Sequence, residues 1–194
     1  MLLNYQTMIV ELTGLDMSNA SLLDEATAAA EAVAMAFTTH NFKRRKVFVS
    51  NSIFPQTIDV MMTRASALDI ELVFGDVESF PWDDASEYFG AIVQTPDNIG
   101  NMSDYTELFD NFRQYKIRSI VICDLLSLPI SKSAGEMGAD IAVGSVQRFG
   151  IPMGFGGPHP AYLACKDEFK RKMPGRVIGV SKDKHGNIAY RMSM

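Results

Sequence analysis

Short β-branched runs alternating with helical stretches constrain the fold of this chain more than any other feature. Residues 46–50 (KVFVS), 70–74 (IELVF), 91–94 (AIVQ), 119–123 (SIVIC), 141–143 (IAV) and 161–164 (AYLA) are short, apolar and bounded by polar residues, as strands are. Residues 55–68 open on Pro55, which suits the first turn of a helix, and residues 103–115 form a further helical stretch. Two helices precede the first strand. Residues 2–13 carry Leu2, Leu3, Tyr5, Ile9 and Leu12 with Gly14 as a stop, and Ser21-Leu22-Leu23-Asp24 has the form of a capping box that opens a helix running to about Phe37. Strands that alternate with helices need crossover connections, and these produce a mainly parallel sheet with helices on both faces. The expected fold is α/β and three-layered, with N-terminal helices over 1–45 and a sheet-and-helix core over 46–194.

Charge is unevenly distributed along this framework. Residues 1–112 hold 5 basic and 17 acidic side chains, whereas residues 113–194 hold 13 basic and 6 acidic ones. Between residues 65 and 112 there are 11 acids and no base, which marks a solvated outer face. The basic residues are scattered and lack interleaved aromatics, so a nucleic-acid partner is not expected. No apolar run approaches the ~20 residues that span a bilayer, so no membrane partner is expected either. The first residues show neither a signal nor a transit peptide, and Cys123 and Cys165 have no disulfide or metal-site spacing. These features suit a reducing compartment, either the cytoplasm of a bacterial or phage-like source or a mitochondrial matrix.

Open α/β sheets bind ligands beyond the carboxyl ends of their strands. Asp124 directly follows SIVIC, where its carboxylate is suited equally to holding a protonated cofactor ring nitrogen or to capping the next turn. The loop 144–159 carries Gly150, Gly154, Gly156 and Gly157, suited either to close backbone approach by a ligand or to tight structural turns. It matches neither a dinucleotide fingerprint nor a phosphate-binding loop with its lysine. On that loop Arg148 is placed to grip an anion or to pair with Asp140 or Asp124. His159, flanked by prolines, suits acid–base chemistry, an anion contact or a structural role. His40 and His185 have polar surroundings and read as surface residues.

Residues 13–32 (TGLDMSNASLLDEATAAAEA), 135–159 (GEMGADIAVGSVQRFGIPMGFGGPH) and 173–183 (MPGRVIGVSKD) closely resemble the P-protein family of the glycine cleavage system, over part of its N-terminal half. The resemblance implies a type I pyridoxal-phosphate (PLP) transferase fold, like that of aspartate aminotransferase, with this chain supplying an incomplete large domain and no small domain. It implies decarboxylation of glycine on PLP and transfer of the aminomethyl group to the lipoyl arm of the H-protein. PLP and its Schiff-base lysine are then expected on the C-terminal half, or second subunit, of the P-protein.

Within that resemblance, Gln147 stands where the catalytic half has its lysine, and an amide cannot form an imine. The segment from Ser21 corresponds to the phosphate cup, yet Asp24 and Glu25 occupy the first turn and repel a phosphate. Phe54-Pro55-Gln56-Thr57 replaces the His-Pro-Gln-Thr usual in the family. Ser21, Phe54 and Asp124 are thus the candidate vestiges of a cofactor site, and Asp124, Arg148 and His159 the candidate cleft residues. The expected role is to support the site of the other half. Two alternatives are an inactive module that docks that half or the H-protein, and an independent small-ligand domain built on the 144–159 loop.

Overall fold

The computed structural model describes residues 1–40 and 43–193; residues 41–42, inside the expected N-terminal helical segment, and residue 194 lie outside it. In chain order the elements are α1 (Leu2–Thr13), β1 (Met17–Ser18), α2 (Glu25–Thr39), β2 (Lys46–Ser50), α3 (Pro55–Ser66), β3 (Glu71–Gly75) and β4 (Tyr88–Thr95). There follow α4 (Thr106–Gln114), β5 (Arg118–Cys123), β6 (Ile141–Ser145), β7 (Ala161–Cys165), β8 (Val177–Lys182) and β9 (Ile188–Ser193). Among the described residues, seven strands form one sheet in the order β1-β7-β6-β5-β4-β2-β3. Strands β2 to β6 run parallel, whereas β7 is antiparallel to β6 and β1 is antiparallel to β7.

The strands are apolar on both faces because helices cover both. On one side Val47, Val49, Ile120, Ile122, Ile141 and Val143 pack with α2 and α3 residues such as Ala29, Val33 and Met61. On the other, Phe48, Val121, Cys123 and Ala142 pack with Ile9 of α1 and with Phe109 and Phe112 of α4. Small side chains at 28–30, 32 and 36 let the α2 backbone lie close to the sheet, and all five alanines are buried. Helix α1 ends where expected: Gly14 adopts φ 67°, and its amide donates to the Val10 carbonyl at 2.9 Å.

The start of α2 differs from the expectation. Asp24, not Ser21, is the N-cap, and its Oδ1 accepts the Thr27 amide at 2.7 Å. Ser21 precedes a residue held on the sheet: the Leu22 amide donates to the Ala161 carbonyl at 2.9 Å, and the Ala161 amide donates back at 3.1 Å. That pairing keeps the chain extended until residue 24, so the capping box cannot close. The β8–β9 hairpin was not anticipated as an element, although Ile178-Gly-Val180-Ser alternates as a strand does. Its turn is held by Asp183, whose Oδ1 accepts the His185 and Asn187 amides at 2.8 and 2.9 Å.

These assignments predict a contrast between two alanine variants. Asp24→Ala loses the cap and is expected to cost about 1 kcal/mol of stability. Ser21→Ala, which removes an exposed hydroxyl, is expected to change stability by less than about 0.5 kcal/mol. Urea unfolding of both variants checks the pair, and equal losses would restore Ser21 as the cap.

Candidate functional site

Strand β2 has β3 on one side and β4 on the other, so the strand order reverses there. A crevice is expected beyond the carboxyl ends of strands at such a reversal. A cavity of about 480 Å³ lies there, lined by Phe54 after β2, Gln94 and Thr95 ending β4, Asp124 after β5, Ser145 ending β6, and Glu25 of α2. Asp97, Asn98 and Arg148 also line it.

Its polar groups are largely matched to one another. Arg148 forms an ion pair with Asp124, one of the two partners expected from the sequence. The other oxygen of Asp124 accepts the Leu126 amide at 3.0 Å, so the same carboxylate also holds the following turn. Glu25 accepts the Ser145 amide at 3.2 Å and ties α2 to the end of β6. Gln94 bridges two segments: its Oε1 accepts the Phe54 amide at 3.1 Å, and its Nε2 donates to the Pro96 carbonyl at 3.0 Å. The Thr95–Pro96 peptide bond is cis. Beneath the floor, the buried Tyr162 hydroxyl donates to the Cys123 carbonyl at 2.8 Å, and burial raises the Cys123 thiol to about 12. A thiol so far from ionising at neutral pH is packing, not a nucleophile.

The sequence candidates therefore divide. Asp124, Arg148 and Phe54 meet in this cavity. Gln147 does not line it: its Nε2 donates to the Ile151 carbonyl at 2.8 Å and closes its own loop. Ser21 and His159 line a different cavity, of about 860 Å³, and His159 Nε2 donates to the Gly156 carbonyl at 2.7 Å. Gly157 has φ 62°, and a Cβ there would stand 2.2 Å from the Pro152 carbonyl oxygen, so at this position glycine serves the turn itself. Gln94, Thr95 and Asn98 were missed, although Gln94 ends an apolar run and 95–98 follow it just as Asp124 follows its own. Among the described residues there is no cluster of His, Cys, Asp or Glu that could hold a metal ion, and no helix is long and apolar enough to cross a membrane.

A mostly parallel mixed sheet with helices on both faces and a crevice at the strand-order reversal places the chain in the fold class of type I PLP-dependent enzymes. An O-acetylhomoserine (thiol)-lyase from Campylobacter jejuni, solved with N'-pyridoxyl-lysine-5'-monophosphate, superposes with a TM-score of 0.68 at 14% identity over 89% of this chain and 42% of that one. At that identity the likeness shows the fold alone. Within this class the chain belongs to the glycine cleavage system P-protein family, whose model matches residues 1–194. It is 51% identical to the glycine dehydrogenase (decarboxylating) of Photobacterium profundum over 193 residues, all of this chain but 20% of that protein. A glycine decarboxylase (P-protein) crystal structure in inhibitor-bound form superposes with a TM-score of 0.91 at 35% identity, covering 100% of this chain and 45% of that one. The chain thus spans about a fifth of the length of the curated relatives it matches.

The cavity does not fit the class cofactor held as an imine. No lysine is among its lining residues, and the Asp124 carboxylate already faces the Arg148 guanidinium. The Glu25 carboxylate stands in the first turn of α2, where a phosphate would need bare amides.

Burial holds the Glu25 carboxyl above the usual carboxylate range, and the Ser145 amide opposes this in part. A carboxyl raised in the folded state binds more protons folded than unfolded. Its contribution to stability is therefore present below the unfolded carboxylate value and is lost as pH rises through the folded one. Glu25→Gln keeps an acceptor for Ser145 and removes the charge. The variant is expected to melt higher than the parent at about pH 7 and level with it near about pH 4, below the unfolded carboxylate value. Melting curves across that range check the sign, and a variant less stable at neutral pH would refute it.

Proposed function

We propose that this chain is a cofactor-free part of a glycine decarboxylase P-protein, which shapes and supports a PLP site carried elsewhere in the complete enzyme. What carries this reading is the cavity at the strand ends, which has no amine among its lining residues to form an imine and whose Asp124 carboxylate is paired with Arg148. The complete enzyme would decarboxylate glycine and pass the aminomethyl group to the lipoyl arm of the H-protein, with PLP held by the C-terminal half. In this role Asp124 and Arg148 hold the turn after β5 against the loop after β6. Gln147, at the position of the family's lysine, braces that loop through Ile151. Phe54 closes the wall opened by the reversal of strand order. Similarity to bacterial enzymes supports a cytoplasmic setting for this chemistry.

Docking without any contribution to turnover is a second reading, and the exposed apolar residues of the β8–β9 hairpin favour it. One assay separates the two. The matched fifth of the Photobacterium enzyme is replaced by this chain, and exchange of bicarbonate with the glycine carboxyl carbon is followed. The proposal expects exchange in the chimera, whereas a chimera that folds and binds H-protein without exchange supports docking alone. The free chain mixed with one equivalent of PLP is expected to give only scattered, sub-stoichiometric borohydride-trapped adducts on its exposed lysines. A stoichiometric adduct mapped to a single lysine would overturn the cofactor-free assignment.

A further inference from the structure

The β8–β9 hairpin stands apart from the seven-stranded sheet as a separate two-stranded ribbon. Its register pairs Ile178 with Met192, Val180 with Tyr190 and Lys182 with Ile188. Residues two apart on a strand, and residues directly opposed across a pair, share a face. One face of the ribbon is therefore Ile178, Val180, Lys182, Ile188, Tyr190 and Met192, apolar except for Lys182 at its turn end. Val180, Ile188, Tyr190 and Met192 are 55% to 76% exposed. Clustered apolar exposure of this kind marks a contact surface, since scattered single residues are the norm on a free surface.

The ribbon is also held in place. A lone two-stranded hairpin is marginally stable at best in water, yet this one is clamped at its stem. The buried Gln6 side chain reads the Ile178 backbone as a strand would: Oε1 accepts its amide at 2.7 Å and Nε2 donates to its carbonyl at 3.1 Å. The Ala20 amide donates to the Arg176 carbonyl at 2.7 Å, and Asn19 Nδ2 donates to the Pro174 carbonyl at 3.1 Å. A surface fixed before contact loses little conformational freedom on binding. The apolar area continues onto α1, because Met1 and Leu2 line a cavity of about 400 Å³ together with Ile178, Tyr190 and Met192.

We propose that this face is the docking surface for the part of the P-protein polypeptide that lies outside these residues. The inference rests on the family reading above and names the surface through which it operates. The length of the relatives supports this occupant, since four-fifths of such a protein lies outside the region matched here. Charge narrows its chemistry. Cationic groups border the face at its stem, Arg176, and at its turn, Lys182 and Lys184, while the ribbon's one acid, Asp183, is used within the turn. The complementary surface is therefore apolar with an acidic border. A second copy of this chain would set two cationic rims against each other in an isologous pair, which disfavours self-association.

Hydroxyl-radical footprinting of the free chain and of the Photobacterium chimera tests the surface, with the fully buried Tyr162 as an internal report of folding. Tyr190 and Met192 are expected to oxidise several-fold more slowly in the chimera, with Tyr162 protected in both. Val180→Asp combined with Tyr190→Asp is expected to restore oxidation of Met192 in the chimera and to leave the melting temperature of the free chain unchanged. Equal reactivity of Tyr190 in both proteins overturns the proposal. So does a free chain that is dimeric by light scattering with Tyr190 already protected. Glycine exchange measured on the same chimera keeps the two readings apart. An active but unprotected chimera removes this surface alone, and a protected but inactive one removes the functional reading alone. If Tyr162 oxidises in the chimera, the same footprint is read at the matched hairpin of the intact Photobacterium enzyme.

Discussion

Burial of the parallel strands on both faces is the constraint from which the rest of this structure follows. Val47 and Val49 face α2 and α3 while Phe48 between them faces α1 and α4, and Ile120, Val121 and Ile122 repeat the arrangement on β5. With both faces sealed, the polar groups of the connections emerge at the strand ends. Thr95, Asp124 and Ser145 are the last or next residues of three neighbouring parallel strands, which is why residues 50 positions apart in the chain line one cavity.

Inside that cavity the charges are arranged to satisfy one another. Arg148 meets Asp124, the Ser145 amide meets Glu25, and Gln94 joins the turn before α3 to the segment after β4. A cofactor cup keeps its donors and acceptors open for a ligand, whereas here the protein supplies both sides of most pairs. The fold class and the family are those of PLP enzymes, while the polar side chains at the strand ends are paired with one another. Fold and function separate at the level of a few side chains.

The strands and most helices were legible in the sequence because their signals are local. β-Branched runs, Pro55 at the start of α3 and Gly14 at the end of α1 all act within a turn or two of the chain. Ser21 misled for the opposite reason: its capping potential is real, but the pairing of Leu22 with Ala161, some 140 residues away, keeps the backbone extended. The ribbon's alternation and its Asp183-to-Asn187 turn were readable in principle. Its separation from the main sheet and its anchoring by Gln6 were not, since no local pattern reports a contact across 172 residues.

The same division holds for the site. By itself the sequence determined a doubly covered, mainly parallel sheet, the placement of Asp124 and Arg148 after its strands, and a resemblance specific enough to indicate the family. Those properties follow from side-chain periodicity and from strings of identical residues. Only the tertiary structure decided that Asp124 takes Arg148 over the alternatives, that Gln147 turns into its own loop, and that His159 and Ser21 belong to a different cavity. Each of these outcomes is a choice among partners brought close by folding. Hydrogen bonding and charge pairing select among neighbours in space, and the order of residues along the chain does not name those neighbours.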